Sequence, residues 1–186
     1  MEEEQPVNTV LATLQAYDED STIGEYDISP NDYFDINKTS GVITLKKRLD
    51  YESMKEVKFV ATVSDTGVPS LTSTADVIVD VINLNDNEPQ FTQTEYYFNI
   101  TENSPVGTVA GKVEAFDKDL GAFGEITYSL IGENNKYFSI DSYTGNIMVA
   151  DSTVLDREKV KQITLTAVAK DKAPLTVQKS TTAAVS

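Results

Sequence analysis

The chain contains one unit twice. Thr101-Glu102-Asn103-Ser104-Pro105-Val106-Gly107-Thr108-Val109 matches Glu2-Glu3-Glu4-Gln5-Pro6-Val7-Asn8-Thr9-Val10 at an offset of 99 positions. Five more matches follow in the same order. Ala16-Tyr17-Asp18-Glu19-Asp20 pairs with Ala115-Phe116-Asp117-Lys118-Asp119, and Tyr33-Phe34-Asp35-Ile36 with Tyr137-Phe138-Ser139-Ile140. Gly41 pairs with Gly145, Leu49-Asp50-Tyr51-Glu52 with Leu155-Asp156-Arg157-Glu158, and Ala61–Asp65 with Ala167–Asp171. The offset drifts from 99 to 106, as loop insertions in the second copy would produce. A repeat near 100 residues implies one small fold used twice rather than a single large core.

Each copy reads as all-β. Gly41–Leu45, Lys58–Val63, Ala75–Val81 and Ile163–Val168 are rich in β-branched residues and partly alternate. Turn residues separate them, as in Asp65-Thr66-Gly67-Val68-Pro69 and Tyr143-Thr144-Gly145-Asn146. No amphipathic helix of ordinary length stands out. About seven short strands per copy predict two tandem seven-stranded Greek-key, immunoglobulin-like β-sandwiches. Phe34, Ile36, Ile43, Phe59, Ala61 and Val63 are expected in the first core, and Phe138, Ile140, Ile147, Leu165 and Ala167 in the second.

Between the copies runs Asn83-Leu84-Asn85-Asp86-Asn87-Glu88-Pro89. Side-chain oxygens this dense, closed by a proline that cannot continue a sheet, suit a hard cation and a linker. The formal net charge of −15 points the same way, and it excludes a basic nucleic-acid surface. With no His and no Cys, Ser-His-Asp, Cys-His, zinc-finger and HExxH chemistry are all excluded. No apolar run approaches the ~18 residues of a membrane span, and Met1-Glu2-Glu3-Glu4 is not a signal-peptide start. Asn37-Lys38-Thr39 and Asn99-Ile100-Thr101 are glycan-acceptor sequons.

The acids recur as two sets: Glu3, Asp50, Glu52 with Asp18, Asp20, Asp65, and then Glu102, Asp156, Glu158 with Asp117, Asp119, Asp171. In that order they closely resemble a pair of extracellular cadherin repeats. Glu3 and Glu102 match the XEX motif, Leu49–Glu52 and Leu155–Glu158 match LDRE, and Asn83–Asn87 matches DxNDN. Asp117-Lys118-Asp119 matches DxD, and Asp171 the late XDX aspartate. The resemblance covers almost the whole chain. It implies repeats at 1–87 and 88–186, the first truncated at its N-terminus and the second without its C-terminal linker.

It also implies about three Ca²⁺ ions at the junction. Their ligands would be the side chains of Glu3, Asp50, Glu52 and Asp86, then Asn83 and Asn85, then Asp117, Asp119 and Asp171. Leu84, Asn87 and Phe123 would contribute carbonyls. Together they offer about nineteen oxygens, against about 18–24 for three ions of six to eight ligands each. The sequence departs from the pattern in three places. Asn83 stands where Asp is usual, which removes a charge. Phe123 stands where Asn is common, and Tyr51 replaces the Arg of LDRE.

The implied function is a calcium-dependent cell-adhesion ectodomain fragment on the outer side of the plasma membrane, from a membrane-anchored parent with further repeats on both sides. Its partners would be other cadherin ectodomains, homophilic or heterophilic, with no nucleic acid or small-molecule substrate. With no Trp, the chain lacks the N-terminal tryptophan that some members exchange, which implies either an internal pair of repeats or the long protocadherin-like or Fat/Dachsous-like branch. Two other readings compete: a mechanical spacer without adhesive contact, and a carbohydrate-active sandwich enzyme using paired carboxylates such as Asp156 and Glu158. Duplication of that pair as Asp50 and Glu52 argues against the enzyme.

Overall fold

Alternation of apolar and polar side chains sets the strands in both halves. The computed structural model describes residues 1–186, in two compact units, Met1–Leu84 and Asn85–Ser186.

The first unit contains β1 (Val10–Thr13), β2 (Ile23–Ile28), β3 (Phe34–Ile36), β4 (Val42–Leu45), β5 (Glu56–Asp65) and β6 (Thr72–Asp80). They form two antiparallel three-stranded sheets, ordered β1-β4-β3 and β2-β5-β6. An isolated parallel bridge from Glu2 to Ile82 takes the place of a seventh strand. Along β5, Val57, Phe59 and Ala61 are buried while Glu56, Lys58 and Val60 face water. Successive residues of a strand point to opposite faces, so one face meets the other sheet. Phe34 of one sheet meets Phe59 of the other with ring centroids 5.5 Å apart. Ile43, Leu45, Leu49, Val79 and Val81 complete this core.

The second unit contains β7 (Gln90–Phe91), β8 (Glu95–Tyr96), β9 (Val109–Lys112), β10 (Ala115–Phe116), β11 (Ile126–Ile131), β12 (Phe138–Ile140), β13 (Asn146–Val149), β14 (Leu165–Asp171) and β15 (Ser180–Val185). Its sheets are β12-β13-β9 and β11-β14-β15-β8, with a short β10-β7 pair beside them. Every pairing is antiparallel except β8 with β15. Val113, Phe138, Ile147, Val149, Leu155, Leu165 and Ala167 lie in its core. Three short 3-10 turns are the only helical pieces, and no helix is long and apolar enough to cross a membrane.

Of the expected core residues, Ile36, Val63 and Ile140 are only half-buried. Ile36 and Ile140 end their strands, and Val63 lies where β5 leaves the sandwich toward Asp65. Each carries the inward register but has little sheet above it. Leu49 and Leu155, which open the two repeated acidic motifs, are core residues at 0% and 6% exposure. They anchor the loops that carry the acids.

One turn is built identically in both units. Asn37 Oδ1 accepts from the N–H groups of Thr39 and Ser40, and Asp141 Oδ1 accepts from those of Tyr143 and Thr144. Each turn closes on a left-handed glycine, Gly41 at φ +69° and Gly145 at φ +73°. A Cβ on Gly145 would lie 2.3 Å from the carbonyl oxygen of Val113. The left-handed backbone alone costs an L-residue about 1–2 kcal/mol. Gly145→Ala should therefore lower the second unit's stability by at least that amount and leave the first unit's transition in place. Calorimetry resolving the two transitions checks this, and Gly41→Ala should show the mirror result.

Candidate metal centre

In β14 the inward register runs Leu165, Ala167, Ala169, and the next inward position is Asp171. Its carboxylate is thus carried to the end of the core and is 0% exposed. Backbone donors converge on it: Ala173 N–H on Oδ1 at 2.9 Å and Lys179 N–H on Oδ2 at 2.8 Å. The amide of Asn85 also donates to Oδ2 at 2.8 Å, and to the Val177 carbonyl at 2.6 Å. Asn85 is thereby tied to the top of the second sandwich by its own side chain.

Asp119 is 4% exposed. Its carboxylate accepts from the Asn87 N–H at 3.2 Å and from Asn87 Nδ2 at 2.6 Å. Asn87 Nδ2 also reaches Asp86 Oδ1 at 2.6 Å. Asp117 Oδ1 accepts from the Asp119 N–H at 3.0 Å, so the two acids share one Asx turn. Asp117 Oδ2 and Asn85 Oδ1, by contrast, are buried with no hydrogen-bond partner. Leaving a buried acceptor unpaired costs about 1–3 kcal/mol, a cost that an ordered water or an ion removes.

Burial pushes the Asp117 carboxyl above its ordinary value. The Asp119 N–H pulls it back, and the charges of Asp119 and Asp171 push it up again. The donors are hard oxygens, carboxylate and amide, without sulfur or imidazole. That set suits Ca²⁺ or Mg²⁺ and not a soft transition metal.

Phe123 lies in the 3-10 turn Gly121–Phe123. Gly124 passes so close to Asp119 that a Cβ there would sit 1.9 Å from the Asp119 carbonyl oxygen. On the other side, the Lys172 N–H donates to the Ala122 carbonyl at 3.1 Å. The turn is therefore pinned between Asp119 and the residue after Asp171.

The first unit gathers the other expected acids at its base. Glu3 is 1% exposed. Its Oε2 accepts from the Tyr51 N–H at 2.7 Å and its Oε1 from the Leu84 N–H at 2.6 Å. Glu3 is thus clamped between the Asp50–Glu52 loop and the linker. Asp50 accepts from the hydroxyl and N–H of Ser53 at 2.9 and 3.2 Å, and the hydroxyl bond chiefly lowers its pKa. Glu52 and Asn83 are half-buried, and one side-chain oxygen of each is buried. The structure groups Asn85, Asn87, Asp117, Asp119 and Asp171 in the second unit, and Glu3, Asp50, Glu52, Asn83 and Leu84 in the first.

The outer acids reuse the same geometry. Asp18 Oδ1 accepts from the Asp20 N–H, as Asp117 does from Asp119. Asp65 Oδ1 accepts from Gly67 and Leu71. Glu102 Oε2 accepts from Arg157 as Glu3 does from Tyr51, but Glu102 is exposed. Asp156 pairs with Lys159 at 2.7 Å.

Two supporting residues were not foreseen from sequence. The Tyr128 hydroxyl accepts from the Ala115 N–H at 2.9 Å, and Tyr26 holds Ala16 in the same way at 3.3 Å. Each tyrosine fixes the backbone two residues before an acidic turn. Their recurrence after Gly24-Glu25 and Gly124-Glu125 was the available signal.

A model described as Cadherin domain matches residues 1–82 and 96–186. Cadherin-87A of Drosophila melanogaster is 72% identical over 185 residues, which cover 100% of this chain and 9% of that protein. Protocadherin Fat 4 of Homo sapiens is 38% identical over 176 residues, covering 91% of this chain and 4% of that protein. The chain therefore spans a small part of the curated relatives it matches. Among solved structures, mouse Cadherin-23 EC22-24 superposes with a TM-score of 0.92 at 31% identity, covering 100% of this chain and 60% of that one. Mouse clustered PcdhgC3 EC1-3 gives 0.85 at 28% identity, covering 100% and 62%. Such repeats have an immunoglobulin-like β-sandwich fold.

The raised Asp117 carboxyl has a consequence for stability. Its folded value exceeds its unfolded one, so its contribution is complete below the ordinary carboxyl range and is lost as pH rises through the raised value. At pH 7 without metal, Asp117→Asn should therefore raise the second unit's Tm by a few degrees. With calcium the same substitution should shrink the metal-induced rise in Tm. Thermal melts in chelator and in millimolar Ca²⁺ read both signs.

Proposed function

The chain belongs to the cadherin family as two tandem extracellular repeats, and on that premise we propose that calcium bound by its clustered oxygens fixes the first repeat to the second and makes them one stiff segment of an adhesive rod. Calcium binding is characteristic of the family, and its ectodomains are extracellular. The observation that carries the proposal is the pair of buried oxygens, Asn85 Oδ1 and Asp117 Oδ2, left unpaired beside the buried Asp119 and Asp171.

Calcium, when bound, would supply positive charge and open coordination positions for these oxygens. The chain's residues do the rest. Glu3, Asp50 and Glu52 present carboxylates at the base of one repeat, and Asp117, Asp119 and Asp171 do so at the top of the next. Asn83, Asn85 and Asp86 add side chains between them, and Leu84, Asn87 and Phe123 add carbonyls. Two like charges 4 Å apart repel by about 4 kcal/mol at an effective dielectric of 20. Seven carboxylates at one junction therefore favour separated repeats until cations neutralise them. The free energy of binding then becomes free energy of order between the repeats. We assign about three ions, repeats at 1–87 and 88–186, and a parent held at the cell membrane.

At roughly 2 mM Ca²⁺ and dissociation constants of about 10⁻⁴–10⁻³ M, each ion should stabilise the bound form by about 0.6–1.8 kcal/mol. Calcium titration followed by small-angle scattering should show a sharp gain in maximum dimension, reversed by chelator. An unchanged scattering curve and Tm in chelator would refute the proposal.

We further propose that the partners are other cadherin ectodomains, like or unlike. Sedimentation with and without calcium separates adhesion between like chains from a spacer role: the first requires a calcium-dependent dimer, the second a monomer in both conditions.

A further inference from the structure

The turn shared by the two units is closed by an amide in one and a carboxylate in the other. Asn37 Oδ1 accepts from the Thr39 N–H at 3.0 Å and the Ser40 N–H at 2.9 Å. Asp141 Oδ1 accepts from the Tyr143 N–H at 3.0 Å and the Thr144 N–H at 2.8 Å. The backbone closes alike behind them: the Gly41 N–H donates to the Asn37 carbonyl at 2.9 Å, and the Gly145 N–H to the Asp141 carbonyl at 3.0 Å. The turn thus takes one oxygen from either side chain. A carboxylate supplies it better than an amide, because hydrogen bonds to an ionised acceptor are stronger. Accordingly, the N–H groups of Thr144 and then Tyr143 hold the Asp141 carboxyl below its ordinary value. The nitrogen of the Asn37 amide is therefore a group that the turn does not need.

Nothing else in the fold uses it. Asn37 is exposed, and its Nδ2 donates no hydrogen bond, while Oδ1 holds the turn. Asn31 shows the alternative. Its Oδ1 accepts from the N–H groups of Tyr33 and Phe34, and its Nδ2 donates to the Ser29 carbonyl at 3.1 Å. Both ends of that amide serve the fold. Thr39 stands where the second unit has Tyr143. It is exposed and gives the turn only its N–H, and its hydroxyl makes no hydrogen bond. The two groups without a structural task, an Asn amide nitrogen and a Thr hydroxyl two residues on, are the two that an N-glycan acceptor requires.

We propose that Asn37 carries an N-linked glycan at the tip of the β3–β4 hairpin, and that the equivalent tip of the second unit carries none. The acceptor is Nδ2, and the donor is an oligosaccharide linked to a lipid pyrophosphate. A bond forms between Nδ2 and the anomeric carbon of the first sugar, and the bond from that carbon to the pyrophosphate oxygen breaks. Nδ2 gives up one proton and the lipid pyrophosphate leaves. The substituted amide keeps its oxygen, so Oδ1 still accepts from Thr39 and Ser40 and the turn survives. The reading needs passage through the secretory route, as the family's extracellular placement implies, and is independent of calcium. Asn99 also lies in a sequon and is exposed, but its side-chain oxygen holds no turn, so nothing there fixes the nitrogen outward.

The test expresses the chain behind a secretion leader in animal cells and reads medium and lysate together. In an Asn99→Gln background, most of the chain should run as one heavier band. The amidase that cleaves N-glycans from asparagine should collapse it, and in heavy-oxygen water should mark residue 37. Asn37→Asp keeps the turn oxygen, and Thr39→Ala keeps the turn N–H; both should lose the heavier band. Amidase converts the acceptor Asn to Asp, so the treated parent and the Asn37→Asp chain should melt at the same Tm. An unmodified residue 37 in both medium and lysate would overturn the proposal. So would a heavier band that persists in Asn37→Asp, or a mark on any other residue in its place.

Discussion

Acids that belong to a core register cannot be exposed without undoing the core. Asp171 stands on the same face of β14 as Leu165, Ala167 and Ala169, so packing that buries those side chains buries it too. Burying an isolated charge is prohibitively costly, and structures avoid this by hydrogen bonding, by pairing or by coordination to a metal. Here the loops past the strand end supply donors: Ala173 and Lys179 through their N–H groups, and Asn85 through its side chain. Asp119 is served by Asn87 in the same way. These bonds satisfy the two buried acids of the second unit and leave one oxygen on Asp117 and one on Asn85. Carboxylate and amide oxygens of this kind are the ligands that a hard cation takes.

The two units act as controls for each other. The same acidic Asx turn, the same tyrosine hydroxyl on the backbone before it, and the same left-handed glycine recur in each. Such recurrence shows that these features belong to the repeat and not to one copy's surroundings. In the first unit core completion and acid positioning are one event: Val79 and Val81 fill the core, and Leu84 just beyond them delivers the N–H that holds the Glu3 carboxylate.

Ordinary salt bridges contribute little to this picture. Those present, such as Arg48 with Glu4 and Lys172 with Glu125, join exposed side chains, and exposed pairs are typically worth about 0–1 kcal/mol. Thirty acidic residues against fifteen basic ones leave a large excess of negative charge, concentrated by the repeat at strand ends. Stability comes from the two sandwich cores, and the electrostatic surplus is available for binding.

Much of this was legible in the residues themselves. Partial alternation in Lys58–Val63 and Ile163–Val168 marked strands, because the pleat has a period of two whatever surrounds it. Duplication of Leu49–Glu52 as Leu155–Glu158 marked the acids as a set, because one copy of a motif is weak and two in register are not. The partners of those acids could not be read. Ser53, Ala173, Lys179 and Leu84 act on them through backbone N–H groups and a single hydroxyl, and a backbone donor has no residue code. Likewise the burial of Glu3 has no local cause: its donors, Tyr51 and Leu84, lie far along the sequence, and only the folded chain brings such segments together.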